Sequence, residues 1–161
     1  MTIEPLPVAA ARLGECPVWS VAEQVLYWLD IDGKAVHRFD PSTATATTRA
    51  TPGRPGALAL SETQGRFLLA MEHQVGWFSW DDAVFEPWLD LEAAATGNRL
   101  NDGRCDRQGR FWVGSMYEWP AENRFTGMLH RVEPDGTATV HRREVGIANS
   151  LAFSPDGATM Y

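Results

Sequence analysis

Four segments of this chain align in one register, each beginning with a head residue and continuing into a short apolar stretch. The heads are Glu15, Gly56, Asn101 and Asn149, and they recur at intervals of roughly 40–50 residues. Repeats of this length built from strand-like units are typical of β-propeller blades. The first strand of every blade lines a central channel, so we expect the four heads to meet in space.

Each unit then repeats a pattern of short apolar runs joined by tight turns. Asp-Gly pairs at 32–33 and 135–136 stand between such runs, as do Gln-Gly pairs at 64–65 and 108–109. This arrangement predicts antiparallel hairpins. The chain is therefore predicted to be all-β, with about three propeller blades and the start of a fourth, in which Tyr161 falls inside the second strand. Residues 1–161 are predicted to be the N-terminal part of one propeller domain.

Two stretches interrupt the regular repeat. Residues 89–100 precede the third head, and within them residues 89–96 favour one short turn of helix. Residues 117–126 form the second insertion. Irregular insertions on a regular scaffold are common places for binding sites. His37 and His130 hold equivalent places in their repeats, which predicts strand residues that face outward.

An arc of three blades leaves strand edges and an apolar blade face uncovered. The sequence therefore predicts that a further ~120–140 residues complete a ring of about six blades. Ligands contributed by those blades would be absent from residues 1–161.

Composition and charge exclude several classes of partner. The net charge of −7 and the lack of a basic cluster exclude a nucleic-acid surface. No apolar run approaches the ~18 residues of a membrane helix, and the first residues do not resemble a signal peptide, so we expect a cytoplasmic protein without membrane contact. Cys16 and Cys105 form no ligand or disulfide pattern and are expected to be small buried thiols.

The heads and their neighbours suggest a binding site. The carboxylate of Glu15 and the carboxamides of Asn101 and Asn149 suit a hard divalent cation. Arg99 and Asn101 occupy alternate positions, so they point to the same side of an extended chain and can hold the hydroxyls or carbonyl of a polyol-like ligand. The alternatives are a charged strand entry at Glu15, an ordinary Asn-Asp-Gly turn at 101–103, and a backbone cap at Asn149.

The order and spacing of three motifs resemble the family of gluconolactonase, regucalcin (senescence marker protein) and luciferin-regenerating enzyme. The motifs are Leu13-Gly-Glu15-x-Pro-x-Trp19, Asn98-Arg-x-Asn-Asp-Gly103, and Asn149-x-Leu-x-Phe-Ser-Pro-Asp-Gly157, and the resemblance runs from Leu13 to the last residue. It implies a six-bladed propeller with one divalent metal at the mouth of its channel.

The same resemblance implies roles for individual residues. Glu15 and Asn149 match metal ligands, and a third ligand, an Asp also proposed as the catalytic base, is expected beyond Tyr161. Arg99 and Asn101 match substrate-contacting positions, and Glu118 is the nearest candidate for an acidic one. The family's usual glycines after the two metal ligands are replaced here by Cys16 and Ser150.

The predicted function is hydrolysis of sugar lactones, such as aldonolactones, by a metal-dependent lactonase that acts on a carboxylic ester. The expected cofactor is one divalent cation, with calcium, zinc, manganese and magnesium left open. The alternatives are a non-catalytic calcium-binding propeller and a propeller that serves as an interaction platform. Residues 1–161 alone are expected to be inactive, because the later Asp is missing.

Overall fold

The structure is a computed structural model that describes residues 5–92 and 97–161. The described residues form twelve β-strands in three groups of four. The first group is β1 (Gly14–Ser20), β2 (Val25–Asp30), β3 (Ala35–Asp40) and β4 (Thr45–Ala50). The second is β5 (Ala57–Leu60), β6 (Arg66–Ala70), β7 (Gln74–Ser79) and β8 (Val84–Asp90). The third is β9 (Asn98–Cys105), β10 (Phe111–Tyr117), β11 (Gly127–Val132) and β12 (Ala138–Val145).

Each group of four strands is one antiparallel sheet in which neighbours in sequence are neighbours in space. The sheets are the three predicted blades, and they confirm the all-β, partial-propeller prediction. The innermost strand of the second blade, β5, contacts both β1 and β9. The starts of these inner strands, where the predicted heads lie, therefore come together at one end of the arc, which we call the head end.

The second blade buries side chains on both faces, as the period-2 alternation of a strand requires. Leu58, Phe67 and Leu69 pack toward the first blade, in a cluster with Tyr27. The intervening Leu68 packs toward the third blade. Apolar residues on alternating positions thus join three sheets into one body, since each blade interface has its own buried cluster.

The fourth blade begins less regularly than predicted. Residues 146–161 form two isolated bridges in place of a continuous inner strand: Met116 pairs with Ile147, and Phe153 pairs with Met160. A strand gains its hydrogen-bond ladder from a partner. Within the described residues, the pairing of this segment is limited to those bridges and to a short hairpin of its own.

That hairpin replaces the predicted second strand of the fourth blade. Tyr161, which the repeat places inside this strand, exchanges both backbone hydrogen bonds with Ala152, at 2.8 and 3.2 Å, but belongs to no strand. Its side chain is 73% exposed, because no further sheet packs on it in the described residues. Pro-Asp-Gly at 155–157 forms the turn of this hairpin, and Ser154 accepts the backbone N–H of Thr159 at 3.0 Å. The predicted second strand of the fourth blade therefore makes some of its backbone pairs but does not form a regular strand.

Two other expectations need correction. Residues 89–90, where the sequence favours the start of a helical turn, belong to strand β8, and residues 93–96 lie outside the described residues. His130 does not face outward: it is 3% exposed, because its ring packs against a buried carboxylate. Cys16 is buried as predicted, whereas Cys105 is only partly buried. Across the described part of the chain, no helix has the length and apolar character needed to cross a membrane.

Candidate functional site

The inner strands of the first and third blades are irregular where their head residues lie. The β1–β2 register shifts between Glu15 and Val18, and the β9–β10 register shifts between Gly103 and Leu100. Such bulges turn side chains away from the regular pleat and are frequent next to active sites. Glu15 is exposed at the start of β1, so its carboxylate is available to a ligand.

The residues that follow two heads have a left-handed backbone. Cys16 has φ 51° and Ser150 has φ 61°. This region costs a non-glycine residue roughly 1–2 kcal/mol, and glycine adopts it freely. This conformation gives a physical reason for the glycine that the family resemblance leads one to expect at both positions. In this chain Cys16 and Ser150 adopt the left-handed conformation without glycine.

Asn101 connects the third head to the fourth. Its Nδ2 donates to the backbone carbonyl of Ala148 at 2.9 Å and, at 3.5 Å, to Oδ1 of Asn149. Its Oδ1 accepts a hydrogen bond from Nη1 of Arg99 at 2.7 Å, as expected for alternate residues on one side of a strand. Asn101 is 8% exposed. Three of the predicted site residues therefore form one connected group.

Asp102 fixes the backbone beneath this group. Its Oδ2 accepts the N–H of Ser150 at 2.6 Å and its Oδ1 accepts the N–H of Gly103 at 2.8 Å. The carboxylate also lies near Cys16. Burial, with a further contribution from Asp102, raises the pKa of this thiol to about 11. The residues that follow three of the heads thus lie close together, and Cys16 is a neutral thiol at ordinary pH.

The second head carries no side chain for a steric reason. A Cβ on Gly56 would lie 2.4 Å from the backbone oxygen of Asn101 and 2.8 Å from that of Leu100. The inner strands of the second and third blades approach closely here, so backbone atoms of β9 occupy the space that a side chain would need. Gly56 therefore permits this close approach and supplies no ligand.

A charged cluster lies beside these heads. Arg54, in the connection from β4 to β5, donates from Nε to Glu72 at 3.3 Å and from Nη2 to Glu118. Glu72 belongs to the β6–β7 turn and Glu118 directly follows β10. Burial opposes the charge of Arg54, but these two hydrogen-bonded carboxylates outweigh burial and raise its pKa. Arg54 therefore links Glu118 to the second blade.

Arg99 has a different environment from Arg54. It is half-buried, and its hydrogen bonds go to neutral acceptors, the carbonyl of Leu100 at 3.1 Å and the amide of Asn101. Among residues 5–92 and 97–161, no carboxylate lies within ion-pair distance of it. Burial and then the charge of Arg54 lower the pKa of Arg99. A guanidinium in this position favours an incoming acceptor or anion.

A further acidic residue, Glu92, lies in a buried network within the third blade. Its side chain is 0% exposed and accepts hydrogen bonds from Ser115, from Nδ2 of Asn98 at 3.3 Å and from Nε2 of His130 at 3.4 Å. Asn98 in turn binds Thr126 through both its amide atoms, at 2.7 and 2.9 Å. The network thus fixes both insertions to the third blade next to Arg99.

Glu15 and Asn149 carry oxygen donors of the kind that hard divalent cations bind. Within the described ranges there is no cluster of three or more His, Cys, Asp or Glu residues that can hold a metal. Glu15 offers a carboxylate and Asn149 an amide oxygen, both exposed, and oxygen ligands of this kind suit hard divalent cations. Two ligands are fewer than such a cation requires, so these residues fit as members of a larger set. The further Asp expected beyond Tyr161 lies outside the chain and stays a prediction.

A groove of about 600 Å³ lies at the opposite end of the second and third blades. Its walls include Leu68, Trp77, Trp88 and Phe111, and it contains none of the predicted site residues. Its lining is mainly apolar and also includes the charged residues Glu62, Arg66 and Glu133. The predicted site residues lie instead at the head end.

Sequence reasoning missed Arg54, Glu72 and the Glu92 network. One signal for Arg54 was present: it is the charged residue within Pro52-Gly-Arg-Pro-Gly56, immediately before the second head. An arginine two residues before a head residue is expected to lie close to the head end. Glu72 and Glu92 gave no comparable signal, because their partners come from distant parts of the chain.

Comparison with known proteins agrees with this geometry. Residues 13–161 match the model of the SMP-30/Gluconolactonase/LRE-like region. A protein named 6-deoxy-6-sulfogluconolactonase from Pseudomonas putida is 41% identical over 149 residues, which are 92% of this chain and 50% of that protein. Regucalcin from Xenopus laevis is 34% identical over 153 residues, 93% of this chain and 51% of that protein.

A solved structure shows the same fold. The calcium-binding protein regucalcin from Agrobacterium tumefaciens strain C58 superposes with a TM-score of 0.87 at 29% identity, covering 95% of this chain and 50% of that one. The chain therefore spans about half the length of the curated relatives and of the structure that it matches.

Proposed function

The chain belongs to the SMP-30/gluconolactonase/LRE-like family, and from this premise we propose that the full-length protein is a metal-dependent hydrolase of sugar lactones. The observation that carries the proposal is the connected group of Arg99, Asn101 and Asn149 at the head end, with exposed Glu15 at the start of β1. A lactonase of Pseudomonas putida is 41% identical over this same stretch.

Lactone hydrolysis adds water to the carbonyl carbon and breaks the ring C–O bond, giving a carboxylate and a hydroxyl group. Arg99 donates hydrogen bonds to oxygen atoms of the lactone, and Asn101 holds Arg99 in that orientation. Glu118 accepts a hydrogen bond from a ring hydroxyl. These contacts orient the substrate, and orientation lowers the entropic part of the barrier.

Glu15 and Asn149 would hold a divalent cation together with ligands outside residues 1–161. When bound, such a cation supplies a Lewis acid for the lactone carbonyl. Its identity stays open among calcium, zinc, manganese and magnesium. The residue that activates water is proposed to be an Asp beyond Tyr161, so residues 1–161 alone should not turn over substrate.

The test is proton release from a panel of aldonolactones by the full-length protein, corrected for spontaneous hydrolysis. We expect activity that a chelator abolishes and one of the four divalent metals restores. Turnover that a chelator leaves unchanged would contradict the metal proposal, and an absence of turnover in metal-loaded protein would contradict the lactonase proposal.

A second candidate function is calcium binding without catalysis. It is favoured by the similarity to a regucalcin described as a calcium-binding protein. It uses the same ligands, Glu15 and Asn149. It predicts that calcium binds to the full-length protein while none of the lactones is hydrolysed faster than in buffer.

A further inference from the structure

Two arginines lie together at the head end, and only one of them has a carboxylate partner among the described residues. Arg54 is paired with Glu72 and Glu118, whereas the hydrogen bonds of Arg99 to described residues run from Nη1 to neutral acceptors. Burial and then the charge of Arg54 lower the pKa of Arg99, and the charges of Glu118, Asp32 and Glu72 act in the opposite direction. The compensation is uneven, because the carboxylates of Glu72 and Glu118 are bound to Arg54 and act on Arg99 only at longer range.

The pair is open to a ligand. The side chains of Arg54, Glu72 and Glu118 are 26%, 28% and 29% exposed, so a molecule at the head end can reach them. Glu118 starts the insertion that follows β10, and its ion pair with Arg54 joins two different blades. A partly exposed ion pair of this kind adds about 1 kcal/mol or less to stability, so a stronger anion can exchange with it.

Building on the lactonase proposal, we propose that Arg54 and Arg99 form a subsite for an anionic substituent of the sugar lactone, such as a sulfonate or phosphate group. Glu118 is the counter-ion that the substituent displaces from Arg54. Planar guanidinium groups present paired N–H donors that match the oxygens of such anions, and these charge-assisted hydrogen bonds are stronger than neutral ones. Arg54 is then a specificity-determining residue.

A purely supporting role for Arg54 makes a different prediction. If Arg54 only held Glu118 in place for a sugar hydroxyl, loss of Arg54 and loss of the Glu118 charge would weaken binding of neutral and anionic sugars alike. In the anion subsite the two changes act in opposite directions, because one removes a donor and the other removes a competitor.

The experiment measures equilibrium binding to the full-length, metal-loaded protein by calorimetry. The ligands are gluconate, 6-deoxy-6-sulfogluconate and 6-phosphogluconate, which differ at the carbon far from the carboxylate and are not hydrolysed. The readout is the ratio of each Kd to that of gluconate, so effects on the shared part of the sugar cancel. We expect the unmodified protein to prefer at least one of the two anions by about tenfold or more.

The variants are chosen to separate the explanations. Arg54→Gln should lose most of the preference, and Arg54→Lys should lose part of it, because lysine keeps the charge without the planar fork. Glu118→Gln should raise the preference. The matched control is Arg66→Gln, which removes an exposed ion pair with Glu86 in the second blade and should leave the ratio unchanged. Thermal unfolding confirms that each variant is folded.

The inference is overturned if the unmodified protein shows no preference for either anion. It is equally overturned if folded Arg54→Gln and Arg54→Lys retain the preference, or if Glu118→Gln lowers it. Failure of the proposed function is distinguishable, because it appears in a separate measurement. Anion preference without lactone hydrolysis contradicts the lactonase, and hydrolysis without anion preference contradicts only the subsite.

Discussion

Two carboxylates at the third blade have opposite environments. Glu92 is 0% exposed and accepts hydrogen bonds from three buried side chains, whereas Glu118 is 29% exposed and forms an ion pair with Arg54. Both residues belong to insertions that interrupt the regular blades. The buried one fixes the insertions to the scaffold, and the exposed one faces the space that a ligand would enter.

The contrast separates support from recognition. Removal of a buried carboxylate that accepts several hydrogen bonds is costly, because each of its donors loses one buried hydrogen bond. A partly exposed ion pair is worth little to stability and can exchange partners. Charged residues of the two kinds can lie close together in the chain, so sequence position alone does not distinguish them.

The largest expected effect is on stability. Glu92→Ala should lower the free energy of unfolding by about 3–5 kcal/mol, because it removes the buried acceptor that Ser115, Asn98 and His130 share. Glu118→Ala should cost about 1 kcal/mol or less. Urea unfolding of the full-length protein measures both. Equal losses in the two variants would contradict the division into a supporting and a recognition carboxylate.

Arg99→Ala should instead change function. In the proposed role of Arg99, its hydrogen bonds to the substrate form in both the ground and transition states, so KM should rise by about tenfold or more while kcat falls less. Its urea midpoint should stay close to that of the unmodified protein. Arg66→Ala is the control for loss of an exposed arginine and should leave KM unchanged. A fall in kcat with constant KM would place Arg99 in the chemical step.

A smaller effect is expected on the pH dependence of stability. Burial acts to raise the pKa of Glu92, but hydrogen bonds from His130, Ser115 and Asn98 outweigh it, so the pKa lies below its ordinary value of 4.5. Because the folded-state pKa is depressed, the stabilisation is complete above the ordinary value and is lost as pH falls through the folded pKa.

Glu92→Gln lacks this titration and provides the comparison. The difference in unfolding free energy between the unmodified protein and Glu92→Gln should be constant near neutral pH and should shrink as the pH falls below about 4.5. Urea unfolding at a series of pH values tests this. If the difference in unfolding free energy instead grows as the pH falls, Glu92 does not act as an ionised buried acceptor.

The repeat in the sequence was sufficient to predict the blades. Apolar alternation and Asp-Gly or Gln-Gly turns are local signals, and the hairpins they predict are the ones observed. The extended conformation predicted for Arg99 and Asn101 is also observed, since both lie in β9 and their side chains are in contact. The strand begins at Asn98, however, within the residues predicted to interrupt the repeat.

The remaining features depend on contacts between distant parts of the chain. The repeat predicts that His130 faces outward like His37, but the insertion before β9 brings Glu92 against it. Arg54 meets Glu118 across 64 residues. The segment that ends at Tyr161 also departs from the repeat, because a strand requires a partner as well as a pattern. Such pairings follow from blade packing and leave no local signature.

The central claim is that Glu15 takes part in a metal site on which lactone hydrolysis depends. The most direct measurement compares the metal-dependent hydrolysis of gluconolactone by full-length protein, Glu15→Gln, and Glu62→Gln, an exposed control in the turn at the far end of the second blade. We predict that Glu15→Gln needs at least about tenfold more metal for half-maximal activity, because the variant loses a charged ligand. Glu62→Gln should match the unmodified protein. Equal metal requirements in all three proteins would contradict the account.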